Sequence, residues 1–412
     1  MKKLILFSMF CALATVMNAQ SQIWHVDPNC SEDNGTSGSG LSWNDPCSFN
    51  YAVQQAVDGD QIWVKKGSYQ VNVRITASIT IYGGFNGTES SVQDRDLADT
   101  NNRTLFVAAA TPMIKVNPNL NTNIGDFPNF ERSLEYFHLD GVTLRAGNSI
   151  YAWGGAIRSD SVENIILTNL WVDSNAAFKG GGFYIENSAH GWMENVLFTK
   201  NVAVSLGGGM FLSFCPDFTL VNVALCNGNF SGLSNTTYPY AQASGGFYFE
   251  RCHVEVHNLT ATGNRMDMAG CIGESTVNFY NSIIYPDYIH VFYNHDSTVS
   301  YNNCCLWTTN QQQLQGWNPI PYMGDWNNVI WDYDIHNIII TDNIFSIDPQ
   351  FNSTPLVPNL MLPELSPNSP CRDAAGSFES FYPGNNFDVL FRNRFEDILD
   401  LGAFEYHNNN NE

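Results

Sequence analysis

The side chains best suited to chemistry in this sequence stand in short apolar phrases that each follow a glycine pair. Tyr184, Phe211 and Tyr248 are the second residue after such a pair, and Glu186 and Glu250 come two residues after two of those rings. A strand points alternate side chains to opposite faces. Phe183 and Ile185, Met210 and Leu212, and Phe247 and Phe249 then face inward, while the three rings and two carboxylates face out. A file of outward aromatics beside carboxylates suits carbohydrate, because rings stack on sugar faces and carboxylates accept hydroxyl hydrogen bonds. The plainer account is that the rings stack on one another or lie beneath the insertion at Phe230–Ala243. Glu274 falls near this face on the following unit. In this register Arg158 of the first unit turns inward, and a slip of one residue would reverse every face.

A second group sits on Arg251–His257. His253, Glu255 and His257 alternate onto one outer face, with Asn278 and Tyr280 expected beside them. Imidazoles and a carboxylate at this spacing could hold a metal or move a proton; a solvated outer face that happens to carry two histidines is the plainer account. No catalytic residue can be assigned. Uronate-cleaving rods need a Lys or Arg base beside carboxylates, and the lysines after the leader (Lys65, Lys66, Lys115, Lys179, Lys200) are widely spread. Hydrolysis needs two carboxyl groups at a fitting separation, and Asp160 and Asp173 show no partner in the sequence. Cysteine pairs at metal-ligand spacing are absent, and no metal centre is assigned; a weak Ca²⁺ site among loop Asp side chains and Asn carbonyls stays open.

The elements that must position these groups are repeats. The second glycines of the pairs, at 155, 182, 209, 246 and 270, advance by 27, 27, 37 and 24 residues. Asn169, Asn195, Asn222, Asn258 and Asn281 each open an apolar triplet and advance by 26, 27, 36 and 23, so both files absorb the same insertion. Asp140 and Asn303 extend the second file in both directions. A fixed period of this size is the mark of a repeat architecture, and alternation within each unit means strands. Each unit is too short for strand, helix and strand, which leaves a coil of two or three short strands stacked on the next coil. The fold predicted is an all-β parallel β-helix. Its glycines turn the corners and its asparagines hydrogen-bond from rung to rung.

Met1–Lys3, the apolar run Leu4–Met17 and Ala19 read as a signal peptide over 1–19, and no later stretch is apolar enough to span a membrane. The mature chain is expected to be extracellular or on the cell surface. Loss of Lys2 and Lys3 takes the net charge from −22 to about −24. That balance repels nucleic acid and anionic membranes, and suits a polyanion poorly unless divalent cations bridge the like charges. Cys30 and Cys47 flank a Gly/Ser-rich loop and form the best disulfide candidate; Cys226, Cys252 and Cys271 fall on successive coils. Residues 20–58 are assigned to an N-terminal cap holding the strand Ile23–Asp27 and a helix over Phe49–Val57 that ends at Gly59. The rod runs from 59 to 350, with Gln311–Asp334 an inserted loop and Ile338–Thr341 a further strand. In the last part, 351–412, Pro355–Pro370 is expected as extended chain across the final coils and Asp400–Tyr406 as a small cap.

Several phrases carry a family resemblance. Gly59-Asp60-Gln61-Ile62-Trp63-Val64 with Gly67-Ser68-Tyr69, Tyr82-Gly83-Gly84-Phe85-Asn86-Gly87-Thr88-Glu89 with Arg95-Asp96, Asp348-Pro349-Gln350-Phe351, Ser369-Pro370-Cys371-Arg372-Asp373-Ala374-Ala375-Gly376 and Asp400-Leu401-Gly402-Ala403-Phe404-Glu405-Tyr406 resemble exported bacterial right-handed β-helix proteins. The repeats of that group are similar to those of chlamydial polymorphic outer-membrane proteins. The resemblance implies a single-stranded right-handed rod of about ten to twelve coils, a hand that parallel crossovers also favour. It implies an adhesin-like or glycan-binding surface protein, monomeric, with polysaccharide or a cell-surface glycan as partner. A polysaccharide lyase or glycoside hydrolase acting on an extracellular polysaccharide is the alternative.

Overall fold

The computed structural model describes the chain between residues 21 and 406, apart from 32–36, 99–102, 117–132, 232–243, 307–336, 376–387, 389–398 and several shorter gaps. The leader at 1–19 and the loop at Gln311–Asp334 lie outside the described residues.

The chain winds as a parallel β-helix. One coil shows the plan. Ile157–Asp160 belongs to an eight-stranded sheet, Val162–Asp173 to a seventeen-stranded sheet, and Ala176–Lys179 to a four-stranded sheet, after which Phe183–Glu186 returns to the first. All ladders within these three sheets are parallel, each strand pairing with its counterpart one coil on. We refer to the seventeen-stranded sheet as the long sheet and the eight-stranded one as the short sheet. The long-sheet strands bend in the middle, because Asn169, Asn195, Asn222 and Asn258 all have left-handed φ values between 51° and 57°. Asparagine tolerates that conformation, and here its amide also stacks. Asn195 donates to Asn169 at 3.2 Å, Asn222 to Asn195 at 3.2 Å and Asn258 to Asn222 at 3.1 Å. At the start of the file the left-handed position is Gly141, while the Asp140 carboxylate accepts from Asn169 Nδ2 at 2.6 Å. Asn303 donates to Asn281 at 2.9 Å. Between Asn258 and Asn281 the file is interrupted, since Asn258 Oδ1 is buried without a partner.

The corner before the short sheet is turned by the first glycine of each triplet. Gly154, Gly180 and Gly207 have φ of 73°, 62° and 67°. A Cβ on Gly180 would collide with the Phe183 carbonyl oxygen. Because these three glycines align, Ile157 pairs with Phe183 and Arg158 with Tyr184. The register read from the sequence was therefore one residue out in the first coil. Arg158 faces outward, which removes the conflict of an inward cation. At the far end the register is two residues out: Gly270 pairs with Tyr248 and Ile272 with Glu250, so Gly270 turns no corner and Glu274 does not stack on Glu250.

A single core fills the rod, from Val26, Phe49 and Ile62 through Phe183, Phe198, Phe218 and Phe249 to Val299 and Cys304. Burial of this apolar interior is the main driving term, roughly 25 cal/mol per Å² removed from water. The N-terminal end is closed by Ile23–Val26 and the helix Phe49–Gln55, whose N-terminus is capped by Ser48 Oγ accepting from Tyr51 N at 3.1 Å. The helix stops at Ala56, three residues before Gly59. Its Phe49 packs 4.7 Å from the Phe106 ring, inside the first coils. The strand expected at Ile338–Thr341 is present as Asn337–Thr341.

The C-terminal part differs from the expectation. Phe351–Val357 and Leu360–Leu365 pair as an antiparallel hairpin, so Pro355–Pro370 is not simply extended chain. Asp400–Tyr406 is not an end cap either. Leu362, Ala403 and Phe404 pack on Trp171, Leu197, Ala224 and Cys226 of the long sheet, and Ala403 N donates to Thr260 Oγ1 at 2.8 Å. The tail thus lies along the side of the rod and covers apolar positions that the strands leave outward. No disulfide joins Cys30 to Cys47, contrary to the expected pairing. Cys226 faces the tail, whereas Cys252 lies in the core and meets Cys215. That contact, with burial, holds the Cys215 thiol well above its usual range.

Candidate functional site

The outer face of the short sheet brings the first group of candidate residues together. Successive strands place Arg158, Tyr184, Phe211 and Tyr248 in one column and Asp160, Glu186, Ser213 and Glu250 in the next. The three rings do lie outside the main core, but they are not open. Tyr184, Phe211 and Tyr248 are 3 %, 0 % and 2 % exposed. They stack face to face at centroid distances of 5.1 and 5.0 Å, and form a separate apolar cluster with Leu206, against which Trp153 packs. A sugar cannot stack on rings whose faces already meet each other. The expected sugar-facing row Tyr184–Phe211–Tyr248 is corrected accordingly: it is an external seam that holds neighbouring coils together.

The carboxylates beside it are half-buried. Glu186 Oε2 accepts from Tyr184 Oη at 3.0 Å, and Glu186 Oε1 is 3.7 Å from Arg158 Nη2. Burial, with the neighbouring Asp160, raises the Glu186 carboxyl above the usual carboxylate range. Burial and Glu186 push the Tyr184 phenol far up, so it stays a donor. Asp160 is buried, and its Oδ1 accepts from Ser161 Oγ at 2.9 Å and Asn187 Nδ2 at 3.0 Å. Glu250 Oε2 accepts from Ser213 Oγ at 3.4 Å.

Exposed rings stand instead on the four-stranded sheet that leads into this face. Tyr151, on Asn148–Trp153, is 82 % exposed, and Phe178, on the paired strand Ala176–Lys179, is 38 % exposed. Trp153, on the same strand as Tyr151, has its ring 4.8 Å from Tyr184, and Arg158 and Lys179 stand 5.4 and 5.8 Å from its centroid. The Lys179 amine also lies 4.7 Å from the Phe211 ring. Cations over aromatic rings are mutually stabilising, so Trp153, Arg158, Lys179, Tyr184 and Phe211 form one connected group. The column runs backward as well: Arg158 pairs with Lys115, and Lys115 with Arg74. Arg74 and Lys115 were not tied to this face by the sequence. Their pairs are 41 and 43 residues apart, well off the period of the later coils. The available signal was a shared triplet, Val73-Arg74-Ile75, Ile114-Lys115-Val116 and Ile157-Arg158-Ser159, with the cation always at the outward middle position.

The second group lies on the long sheet. Glu255 Oε1 is 3.6 Å from His253 Nε2, and its Oε2 is 3.6 Å from His257 Nε2. Asn278 and Tyr280 lie beside them as expected. His257 is buried, with its ring stacked 4.7 Å from Tyr280. Among the described residues no three His, Cys, Asp or Glu side chains converge as metal ligands, so His253, Glu255 and His257 do not make a metal centre. Among the described residues no helix is long and apolar enough to cross a membrane.

A second asparagine file, Asn175, Asn201 and Asn229, also escaped the sequence reading. Asn175 Nδ2 donates to Asn201 Oδ1 at 3.0 Å, and Asn201 Nδ2 to Asn229 Oδ1 at 3.0 Å, all fully buried. It fixes the corner that carries Ala176–Lys179 and therefore places Phe178 and Lys179.

No family model matches the sequence, and no curated protein matches it. Among solved structures, one titled "Crystal structure of pectate lyase Pel9A" aligns over 94 % of this chain and 97 % of its own, with 14 % identity and a TM-score of 0.35. So weak a likeness says nothing about this chain's chemistry, and the parallel β-helix stands on the strand pairing itself.

Proposed function

We propose that this is an exported, non-catalytic β-helix protein that binds a glycan on a lateral face, at the open end of the short sheet. The observation that carries the reading is the exposure of Tyr151 and Phe178 on the paired strands Asn148–Trp153 and Ala176–Lys179, whose Trp153 and Lys179 reach Arg158 on the adjoining short sheet. Rings give a sugar its flat contact, and the surrounding charged groups give its hydroxyls donors and acceptors. The leader and the likeness of the repeats to chlamydial polymorphic outer-membrane proteins support export and a surface role. A glycan array probed with the purified chain tests the proposal. Tyr151→Ala should weaken binding about 10-fold, as expected when a contact of roughly 1.4 kcal/mol is removed. Unchanged retention by that variant would rule the patch out.

A glycan-cleaving enzyme at the same place is the second reading, favoured by Glu186. A carboxyl whose pKa is raised by burial is what a general acid needs. Its nearest carboxylate, Asp160, is directed at its own turn instead of the open patch. Long incubation with candidate polysaccharides should yield neither new reducing ends nor unsaturated sugars; either product would establish catalysis.

A further inference from the structure

The cations of the short sheet form a ladder. Arg74, Lys115 and Arg158 occupy the same outward position on three consecutive strands, Val73–Ile75, Ile114–Val116 and Ile157–Asp160. Consecutive strands lie about 4.8 Å apart, and like charges directly opposite one another destabilise a sheet. The arrangement is the more costly because cations are scarce here: the chain has 18 Lys and Arg against 40 Asp and Glu. With so many carboxylates available, each of these cations could have been given one. Among the described residues Arg74 and Lys115 have no ion pair. Arg158 is only loosely engaged: Nη2 is 3.7 Å from Glu186, and its buried Nε has no hydrogen-bond partner. Lys179 joins the ladder sideways across Trp153. Arg74 is exposed, Lys115 and Lys179 are half-exposed, and Tyr151 is exposed on the strand that pairs with the one carrying Lys179.

We infer that the glycan held at this patch is an acidic one, a linear polysaccharide whose carboxylate or sulfate groups lie along Arg74, Lys115 and Arg158 while its sugar rings meet Tyr151, Trp153 and Phe178. This rests on the glycan-binding reading and names its ligand class. Unpaired guanidinium and ammonium groups in a row match a polymer with an acid group on successive units, and arginine matches a carboxylate or sulfate with two parallel donors. The overall negative charge of the chain opposes a polyanion at long range, so recognition must come from contact within a Debye length. The Lys115 amine adds a signature. Burial and the two flanking arginines lower its pKa, and a bound anion would raise it again. The complex then holds more protons than the free protein, so affinity should fall as pH rises through the range where free Lys115 deprotonates.

The test is calorimetric titration of the full chain with a polyuronate, its carboxyl-reduced neutral form, and a sulfated polysaccharide. At least one acidic polymer should bind ~10-fold or more tightly than the neutral form, and added salt should shrink the difference. Preference for the polyuronate identifies carboxylate as the recognised group, and preference for the sulfated polymer identifies sulfate. Arg74→Ala with Lys115→Ala should bring acidic binding down to the neutral level, at a Tm no lower than the parent's because the substitutions relieve like-charge repulsion. Equal binding of acidic and neutral forms would overturn the inference and leave the glycan reading standing. So would an acidic preference that survives the double substitution. Binding of none of the three polymers would overturn both.

Discussion

The two outward faces of the rod use the same alternation to opposite ends. On the long sheet, polar groups meet partners from their own or the next coil: Trp192 Nε1 donates to Glu194 at 2.9 Å, His190 meets Asp217 at 3.0 Å, and Glu255 lies between His253 and His257. On the short sheet, the middle coils close into a stacked aromatic seam, and the first coils keep three cations in a row of which only Arg158 has a carboxylate near it, Glu186 at 3.7 Å. A face whose charges are mutually satisfied has little to offer a ligand. A face that keeps like charges together, beside a ring 82 % exposed, carries a cost that only a partner removes.

The sharpest way to test this contrast is to cut into the seam and into the open end separately. Phe211→Ala should destabilise the protein by about 3–5 kcal/mol, since the ring is wholly buried and stacked on both sides. A denaturant melt would show it, and a loss below about 1 kcal/mol would mean the seam is not structural. Tyr151→Ala should do the reverse, with glycan retention falling while the same melt stays within about 0.5 kcal/mol of the parent. Glu186→Gln probes the border between them. Its folded pKa is raised, so the folded state binds the proton more tightly, and stability is lost as pH rises from the ordinary carboxylate value of 4.5 through the raised one. A Tm measured across that window should drop less for Glu186→Gln than for the parent. Identical profiles would mean the carboxyl is not strained by its site. The smallest effect is expected on the other face: His253→Ala, half-exposed and held by one 3.6 Å contact, should leave glycan binding unchanged. Loss of binding there would move the ligand to the long sheet.

How far this was legible follows from periodicity. The Asn169–Asn258 file gave both the coil and its bend, because a left-handed residue recurring at a fixed step can only stack. Faces were harder. Glycine triplets such as Gly180–Gly182 and the pair Gly154–Gly155 do not say which glycine turns the corner, and choosing wrongly put Arg158 inside. Openness was not legible at all. The positions of Tyr184 and Tyr151 are both outward, yet one is closed by its stacked neighbours and the other is free.

What the sequence determined by itself was the repeating strand, its corner residues and therefore the rod, since these depend on local backbone preference and a period that survives insertion. The tertiary structure decided what no local rule reaches. It stacked Arg74 and Lys115 under Arg158 from coils of irregular length, and it folded the tail back onto Trp171 and Thr260. Contacts between residues more than forty positions apart depend on how many residues each intervening loop takes up, and only the closed coil settles that.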